Sequence, residues 1–202
     1  AITQSTYAGC MTVERETHGG DGALAAVRAH GVKQLFTLSG AHVFPIYDAA
    51  VNDTPPMPII DVRHEQSAVF AAEATGRLTR TPGLAVLTAG PGVTNGISAI
   101  TNAKYNGAPL LVLGGRAPAN RWGQGALQEF DHPKLLNPIT KSAETSKTTA
   151  EIADDVYAAL ALARSVHRGP TFVDIPMDIF FGPTPIPEFT EWLPTPASMS
   201  SG

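Results

Sequence analysis

Two short apolar runs, residues 84–87 and 110–113, restrict the fold of this chain more than any other part of its sequence. A strand with one face in water alternates apolar and polar residues, and neither run alternates. Both runs are therefore expected to be strands buried on both faces, in a parallel sheet that helices cover from both sides. We predict an α/β fold with a doubly wound, mostly parallel six-stranded sheet.

The other elements follow from alternating patterns, in which runs rich in β-branched residues are separated by longer helical stretches. The predicted strands are 34–38, 59–62, 84–88, 110–114, 139–143 and 171–175. The predicted helices are 21–30, 43–52, 65–79, 93–106 and 149–166. The last helix has the clearest pattern, because the apolar residues Ile152, Val156, Leu160 and Ala163 recur at helical spacing.

Composition narrows the classes of partner. With 202 residues, of which 43% are hydrophobic, the chain can bury a substantial core, and its net charge of −4 gives no reason to expect binding to nucleic acid or a membrane surface. The chain lacks the roughly 18 to 20 consecutive apolar residues of a membrane span. The single cysteine, Cys10, suits a reducing compartment, so we expect a cytoplasmic protein with small-molecule or protein partners.

The domain organisation is predicted from changes in pattern along the chain. Residues 1–18 show no sustained periodicity and are interpreted as an N-terminal arm, and the regular pattern occupies 19–180. The stretch 181–202 is rich in proline and has no periodic core, which indicates a linker or docking arm leading to a missing central domain.

Ligands of doubly wound sheets bind in loops at the carboxyl ends of the strands. One such loop contains Glu65, between a predicted strand and an alanine-rich helix. The helix can approach the sheet closely, which would partly desolvate the carboxylate. An ordinary glutamate in the first turn of a helix is the alternative interpretation.

A second loop, 89–95, is rich in glycine and resembles a dinucleotide-binding turn of a dehydrogenase. Asn95 replaces the third glycine of that fingerprint, and residues 74–128 contain no acid that could bind a ribose. The Gly20-Asp21-Gly22 sequence resembles the start of a metal–diphosphate motif. Because no strand precedes it, we interpret Asp21 as a helix-capping residue.

The remaining candidates are basic groups near strand ends. Arg116 and Arg121 are either solvated charges or partners of an anionic cofactor or substrate tail. His42 and His64 also follow predicted strands, and a histidine there is either a satisfied structural group or a catalytic acid or base.

Six segments between Gly19 and Asp178 occur in an order that resembles a known family. They read GGDGALAAVRAHGVKQLFTLSG, VRHEQSAVFAAEATGR, LTAGPGVTNGISAI, PLLVLGGRAP, GALQEFDHPKLLNPITK and GPTFVDIPMD. Together they resemble the pyrimidine-binding (PYR) domain of thiamine diphosphate (ThDP) enzymes of the acetolactate synthase type. The resemblance implies a carbon–carbon lyase or ligase that acts on 2-keto acids through a ThDP ylide.

The resemblance also implies roles for single residues. Glu65 would hydrogen-bond N1′ of the cofactor's aminopyrimidine ring and so promote formation of the ylide. Gln128 and His42 would face the reacting centre as further catalytic residues. The residues expected around the cofactor besides Glu65 are Ser39, Gly40, Thr88, Gly90, Pro91 and Asn95.

The sequence departs from acetolactate synthases at two places. These enzymes have a proline and two glycines where this chain has Ser39, Gly40 and Ala41, then a small residue in place of His42, and a phenylalanine in place of Leu127. The segments FTLSGAH and GALQ are closer to proteins that include 2-hydroxyacyl-CoA lyases, so an enzyme of that kind or one like oxalyl-CoA decarboxylase is an alternative. A scaffold or regulatory module that kept the fold, or the PYR subunit of a two-subunit decarboxylase, also stays open.

Further partners are implied by the same resemblance. In the family the diphosphate and Mg²⁺ bind to a separate domain, so no metal ligands are expected in this chain. The cofactor lies between the PYR domain of one subunit and the diphosphate-binding domain of a second subunit. A homodimer or homotetramer is therefore expected, with a 2-keto acid or acyl-CoA as substrate. The resemblance leaves the binding of FAD open.

Overall fold

The computed structural model describes residues 15–192, so most of the predicted N-terminal arm and the last ten residues lie outside the described range. The strands are β1 (Leu35–Leu38), β2 (Ile59–Asp61), β3 (Gly83–Leu87), β4 (Leu110–Arg116), β5 (Ala143–Thr145) and β6 (Pro170–Pro176). They form one parallel sheet in the order β2-β1-β3-β4-β6-β5. The predicted six-stranded, doubly wound α/β fold is confirmed.

The helices lie on both faces of this sheet. They are α1 (Gly19–Ala29), α2 (Phe44–Asn52), α3 (Glu65–Thr79), α4 (Pro91–Asn95), α5 (Ile97–Tyr105), α6 (His132–Leu136), α7 (Ile152–Arg164) and α8 (Met177–Phe180). Short 3-10 helices occupy Ala41–Val43, Ala119–Arg121, Asn137–Ile139 and Thr149–Glu151. Within the part of the chain that is described, no helix is long and apolar enough to cross a membrane.

Successive residues of the central strands enter two different cores. In β3, Leu84 and Val86 belong to the core shared with α1, α2 and α7, whereas Ala85 and Leu87 belong to the core shared with α3 and α5. The β4 residues divide in the same way, Leu111 and Leu113 to the first core and Leu110 and Val112 to the second. Each large side chain that is fully buried contributes about 1.5–3 kcal/mol. This burial on both faces is the reason for the non-alternating sequence of both strands.

The strand order reverses between β1 and β3. From β1 the chain moves outward to β2 and then crosses back to form β3 on the other side of β1. The crevice at the carboxyl ends of the strands at such a point is where doubly wound sheets bind ligands. The loops after β1 and β3 touch there, because a Cβ atom added to Gly40 would lie 2.3 Å from Cβ of Thr88. The topology therefore brings the loops after β1, β2 and β3 to one place.

The predicted fifth strand, 139–143, is misplaced and shares a single residue with β5. Asn137–Ile139 form a 3-10 turn instead, in which Pro138 fixes the backbone. The hydroxyl of Thr140 then donates to the Leu136 carbonyl oxygen at 2.9 Å and closes that turn. The strand therefore starts later than the apolar residue Ile139 indicates.

The predicted helix 93–106 is two helices, α4 and α5, interrupted at Gly96. The Gly96 N–H donates to the Val93 carbonyl oxygen at 3.0 Å, a tighter turn than that of an α-helix. A Cβ at Gly96 would lie 3.0 Å from Cδ1 of Leu87 and 3.1 Å from Cγ2 of Val69. The glycine therefore lets this bend approach β3 and α3. The short helices α6 and α8 were not predicted, because neither contains two turns of periodic pattern.

The segment after α8 lies against α1 and α7 as far as it is described. The Trp192 N–H donates to the Ala29 carbonyl oxygen at 2.9 Å, and the ring of Phe189 stacks on Tyr157 with centroids 4.8 Å apart. The Arg164 guanidinium lies 3.8 Å from the centre of the Trp192 ring. The proposed domain boundaries at residues 18 and 180 stay predictions.

Candidate functional site at the carboxyl ends of the strands

Glu65 is positioned by the N-terminus of α3. Nδ1 of His64 caps this helix by accepting a hydrogen bond from the Gln66 N–H at 3.1 Å, so His64 has a structural contact and an exposed ring. Ala68 and Ala72 are fully buried, and their small side chains allow α3 to lie close to the sheet. Glu65 is consequently buried at 8% exposure, rather than solvated like an ordinary first-turn glutamate.

The two oxygens of the Glu65 carboxylate have different surroundings. Oε2 accepts a hydrogen bond from Nδ2 of Asn95 at 2.9 Å. Oε1 lies beside Gly92, 3.8 Å from the position that a Cβ would take there. That Cβ would also lie 2.7 Å from Cγ2 of Thr88. Oε2 is thus held by Asn95, whereas Oε1 has no hydrogen-bond partner among residues 15–192, and Gly92 lets the loop after β3 pack closely against Thr88.

Gly90 and Gln128 bring the loops after β3 and β4 together. Gly90 has a φ of +59°, and a Cβ there would lie 3.0 Å from both Cβ and the carbonyl oxygen of Gln128. Glycine is therefore required at Gly90 for its backbone conformation and for this close approach. Gln128 itself has a φ of +57°, which is uncommon for a residue with a side chain.

His42 lies in the 3-10 helix after β1 and is 4% exposed. Its Nδ1 is 3.2 Å from Oγ1 of Thr88, and its Cβ is 2.5 Å from where a Cβ at Gly115 would be. Burial lowers the pKa of the imidazole, while the backbone of Leu127 opposes the shift. The ring is therefore neutral at pH 7 and can donate or accept a proton. The ring of the neighbouring Phe44 pairs with that of Tyr47, with centroids 6.2 Å apart.

A buried histidine that the sequence interpretation missed joins this site to the sheet. Nε2 of His132 accepts a hydrogen bond from the Gly90 N–H at 2.8 Å, and Nδ1 is 3.0 Å from Oδ1 of Asp174. The other carboxylate oxygen of Asp174 accepts from Arg116. His132 and Asp174 are both fully buried. A signal was present in the sequence, because Asp174 falls in a predicted strand among apolar residues, and an aspartate that is buried there needs polar partners.

Arg116 is therefore a partner of Asp174, with its guanidinium also 3.7 Å from the centre of the Trp122 ring. It is 12% exposed, so it is not the solvated charge that was one of the two interpretations of this residue. Arg121 is exposed in the 3-10 helix that follows. The structure directs the charge of Arg116 towards β6.

Asp21 takes part in capping α1, although His18 is the N-cap residue. The Asp21 carboxylate accepts from the His18 N–H at 2.9 Å, and His18 Nδ1 accepts from the Gly20 N–H at 3.1 Å. Arg15 also pairs with this carboxylate. Asp21 thus has a complete set of structural partners.

The structure brings most of the predicted site residues into three contacts. Glu65 meets Asn95, Gly90 meets Gln128, and Thr88 meets the loop after β1. Ser39 and Pro91 are exposed on the two loops that flank these contacts. A separate groove of about 380 Å³, lined by residues that include Lys33, lies at the amino ends of β1 and β3, at the opposite pole from Glu65.

These residues fit the pyrimidine end of ThDP. Oε1 of the buried Glu65 carboxylate, which has no hydrogen-bond partner among residues 15–192, is the acceptor that would meet a ring nitrogen. The diphosphate end is different, because within residues 15–192 no three His, Cys, Asp or Glu side chains are grouped as metal ligands.

Comparison with known proteins agrees with this geometry. Residues 17–135 match the thiamine pyrophosphate enzyme family, N-terminal TPP binding domain. Over 164 residues the chain is 48% identical to an acetolactate synthase large subunit of Mycobacterium tuberculosis, covering 81% of this chain and 30% of that protein. It is 43% identical to 2-hydroxyacyl-CoA lyase 2 of Danio rerio and 41% identical to that of Homo sapiens, covering 81% of this chain and 26% of each relative.

The fold and the buried glutamate define a domain that binds part of a cofactor, and the family match identifies the cofactor as thiamine pyrophosphate, another name for ThDP. The chain belongs to the N-terminal TPP binding domains of thiamine pyrophosphate enzymes, within the acetolactate synthase-like group. The predicted membership is confirmed. The match spans less than a third of the length of these relatives.

Proposed function

We propose that this chain supplies the pyrimidine-binding half of the active site of a ThDP-dependent carbon–carbon lyase or ligase. The observation that carries the proposal is the Glu65 carboxylate, which is buried at the carboxyl ends of the strands. Its Oε2 accepts from Asn95, and its Oε1 lies beside Gly92 without a hydrogen-bond partner among residues 15–192. A scaffold that merely kept the fold would not need a desolvated carboxylate at this position.

When bound, ThDP supplies a thiazolium ring that accepts the electron pair released at a carbonyl carbon. With ThDP bound, Glu65 would hold a proton at N1′ of the aminopyrimidine ring. Asn95 fixes the carboxylate in the required orientation. Burial strengthens the hydrogen bond because little water competes for it.

The other candidates surround this contact. The loops after β1 and β3 would line the cofactor with Ser39, Gly40, Thr88, Gly90 and Pro91. Gln128 and His42 face the side on which the substrate reacts.

The substrate class is proposed as 2-keto acids or acyl-CoA compounds. Relatives named acetolactate synthase and 2-hydroxyacyl-CoA lyase match the same 164 residues. His42 supports the second class, because it places a neutral imidazole where the acetolactate synthases have a small residue. Turnover of pyruvate and of a 2-hydroxyacyl-CoA by the full-length protein distinguishes the two classes.

The complete site is proposed to need a second subunit. As the family resemblance implies, the diphosphate and its Mg²⁺ would bind the diphosphate-binding domain of a second subunit. The proposed assembly is a homodimer or homotetramer, and the proposed compartment is the cytoplasm.

Glu65→Gln in the full-length enzyme tests the proposal. We expect turnover to fall by about 10²-fold or more, because glutamine has the volume of glutamate but does not stabilise the N1′ proton. Exchange of the C2 proton of the bound cofactor, followed by NMR, should slow to the same degree.

Glu73→Gln is a matched control. Glu73 lies on the same helix, is 4% exposed, and accepts from Nδ2 of Asn106 at 3.1 Å. Its substitution should leave C2-proton exchange at the wild-type rate. Wild-type exchange in Glu65→Gln, or equal slowing in both variants, would show that Glu65 does not have this role.

A further inference from the structure

The loops after β3 and β4 are connected through the ring of His132. The Gly90 N–H lies 2.8 Å from Nε2 of this ring, and the contact is completely buried. A buried N–H that lost its acceptor would carry the full cost of desolvation. The Gly90 N–H therefore depends on His132 for its only acceptor among the described residues.

The hydrogen bonds determine which nitrogen of His132 carries the proton. A backbone N–H can only donate, so Nε2 must be the unprotonated acceptor. Nδ1 then carries the proton and donates to Oδ1 of Asp174 at 3.0 Å. The carboxylate is itself held by Arg116. Asp174 thus selects the tautomer that Gly90 requires.

His132 also lies close in the chain to Gln128, which fills the space beside Gly90. The His132 N–H donates to the Phe130 carbonyl oxygen at 3.1 Å, which closes a turn in the short segment that connects His132 to Gln128. One buried ring therefore fixes the glycine loop on the cofactor side relative to Gln128 on the substrate side.

We propose that His132 is a positioning residue, which with Asp174 holds the Gly90 peptide and Gln128 in the arrangement that catalysis needs. The inference rests on the proposed function, because it assigns Gly90 to the pyrimidine-binding loop and Gln128 to the reacting centre. His132 does not touch the reacting atoms.

Two variants in the full-length enzyme separate the two ends of the ring. In His132→Gln, Oε1 takes the place of Nε2 and can accept from Gly90, while the donor to Asp174 is lost. In His132→Asn, Nδ2 takes the place of Nδ1 and can donate to Asp174, while the Gly90 N–H loses its acceptor.

Positioning of Gly90 predicts that turnover falls about 10- to 100-fold in His132→Asn and by less than about fivefold in His132→Gln. Hydrogen exchange at the Gly90 amide should accelerate in His132→Asn alone. Equal losses in both variants, or a greater loss in His132→Gln, would overturn the proposal. If both variants fail to fold, ¹⁵N NMR of the wild-type ring decides, because a proton on Nε2 overturns the proposal and a proton on Nδ1 with a protected Gly90 amide supports it.

Amide exchange is measured without cofactor, so it separates this proposal from the preceding one. Wild-type enzyme without ThDP-dependent turnover would refute the proposed function. If the Gly90 amide exchanged at the wild-type rate in both variants, the role of His132 would be refuted, even in a fully active ThDP enzyme.

Discussion

Two glutamates of α3 are buried, and each accepts a hydrogen bond from an asparagine. Glu73 lies in the middle of the helix, where its Oε1 accepts from Asn106 and pairs with Arg77. Glu65 lies where three strand ends converge, and its Oε1 lies beside Gly92. The same pair of side chains is part of the helix packing at one position, whereas at the other it lies at the strand ends where doubly wound sheets bind ligands.

Substitutions of His42 can distinguish a catalytic role from a structural one. We expect His42→Ala and His42→Asn both to lower turnover about 10²-fold, because each removes the ring nitrogen Nε2 that could exchange a proton with the substrate. Asparagine keeps a polar atom near Oγ1 of Thr88, so the melting temperature of His42→Asn should remain near that of the wild type.

Steady-state kinetics and thermal unfolding of both variants check this prediction. A structural role through Thr88 alone predicts a different result, namely lower stability in His42→Ala and restored turnover in His42→Asn. That result would remove His42 from the catalytic residues.

The elements that local periodicity could predict are those with several turns of pattern. The buried residues of α7 include Ile152, Val156, Leu160 and Ala163, all of which the sequence indicated. Glu65 and Asn95 were both candidates, but the bond between them joins residues 30 positions apart and depends on how α3 packs. His132 was missed for the same reason, since both of its ring partners are 42 residues away.

The end of α1 contains a group that makes stability depend on pH. His30 is 2% exposed between the rings of Tyr157 and Trp192, at 4.4 and 5.8 Å. Burial, with a smaller contribution from Arg164, lowers its pKa to about 4. As the pH falls, His30 therefore binds a proton at a higher pH in the unfolded chain than in the folded one. The stability from neutral His30 is complete above about pH 6.5 and is lost as the pH falls towards 4.

His30→Phe tests this linkage, because it keeps an aromatic ring and removes the titration. Between pH 7 and 4.5 the melting temperature of the wild type should fall more steeply than that of the variant. Parallel curves for the two proteins would contradict the assignment to His30. Thermal unfolding followed by circular dichroism over this range is sufficient.

At the scale of the whole molecule, the chain of 202 residues should bind ThDP weakly by itself. The proposed pyrimidine-binding residues lie in this chain, but within residues 15–192 no three His, Cys, Asp or Glu side chains are grouped to bind the Mg²⁺ of the diphosphate. Calorimetry with Mg²⁺ and ThDP should show binding weaker than micromolar. Micromolar or tighter binding would mean that the cofactor site is misplaced.

The two outer strands of the sheet determine how readily the domain pairs with strands of other chains. β2 and β5 are three residues long, and each includes a charged residue, Asp61 and Glu144. A long, flat, apolar outer strand would offer its unpaired N–H and C=O groups as a template for intermolecular β-pairing and aggregation. Here each outer strand offers three residues at most, and its charge opposes stacking. We therefore expect that copies of the domain do not associate by pairing their edge strands. Assembly should proceed through helices and loops instead.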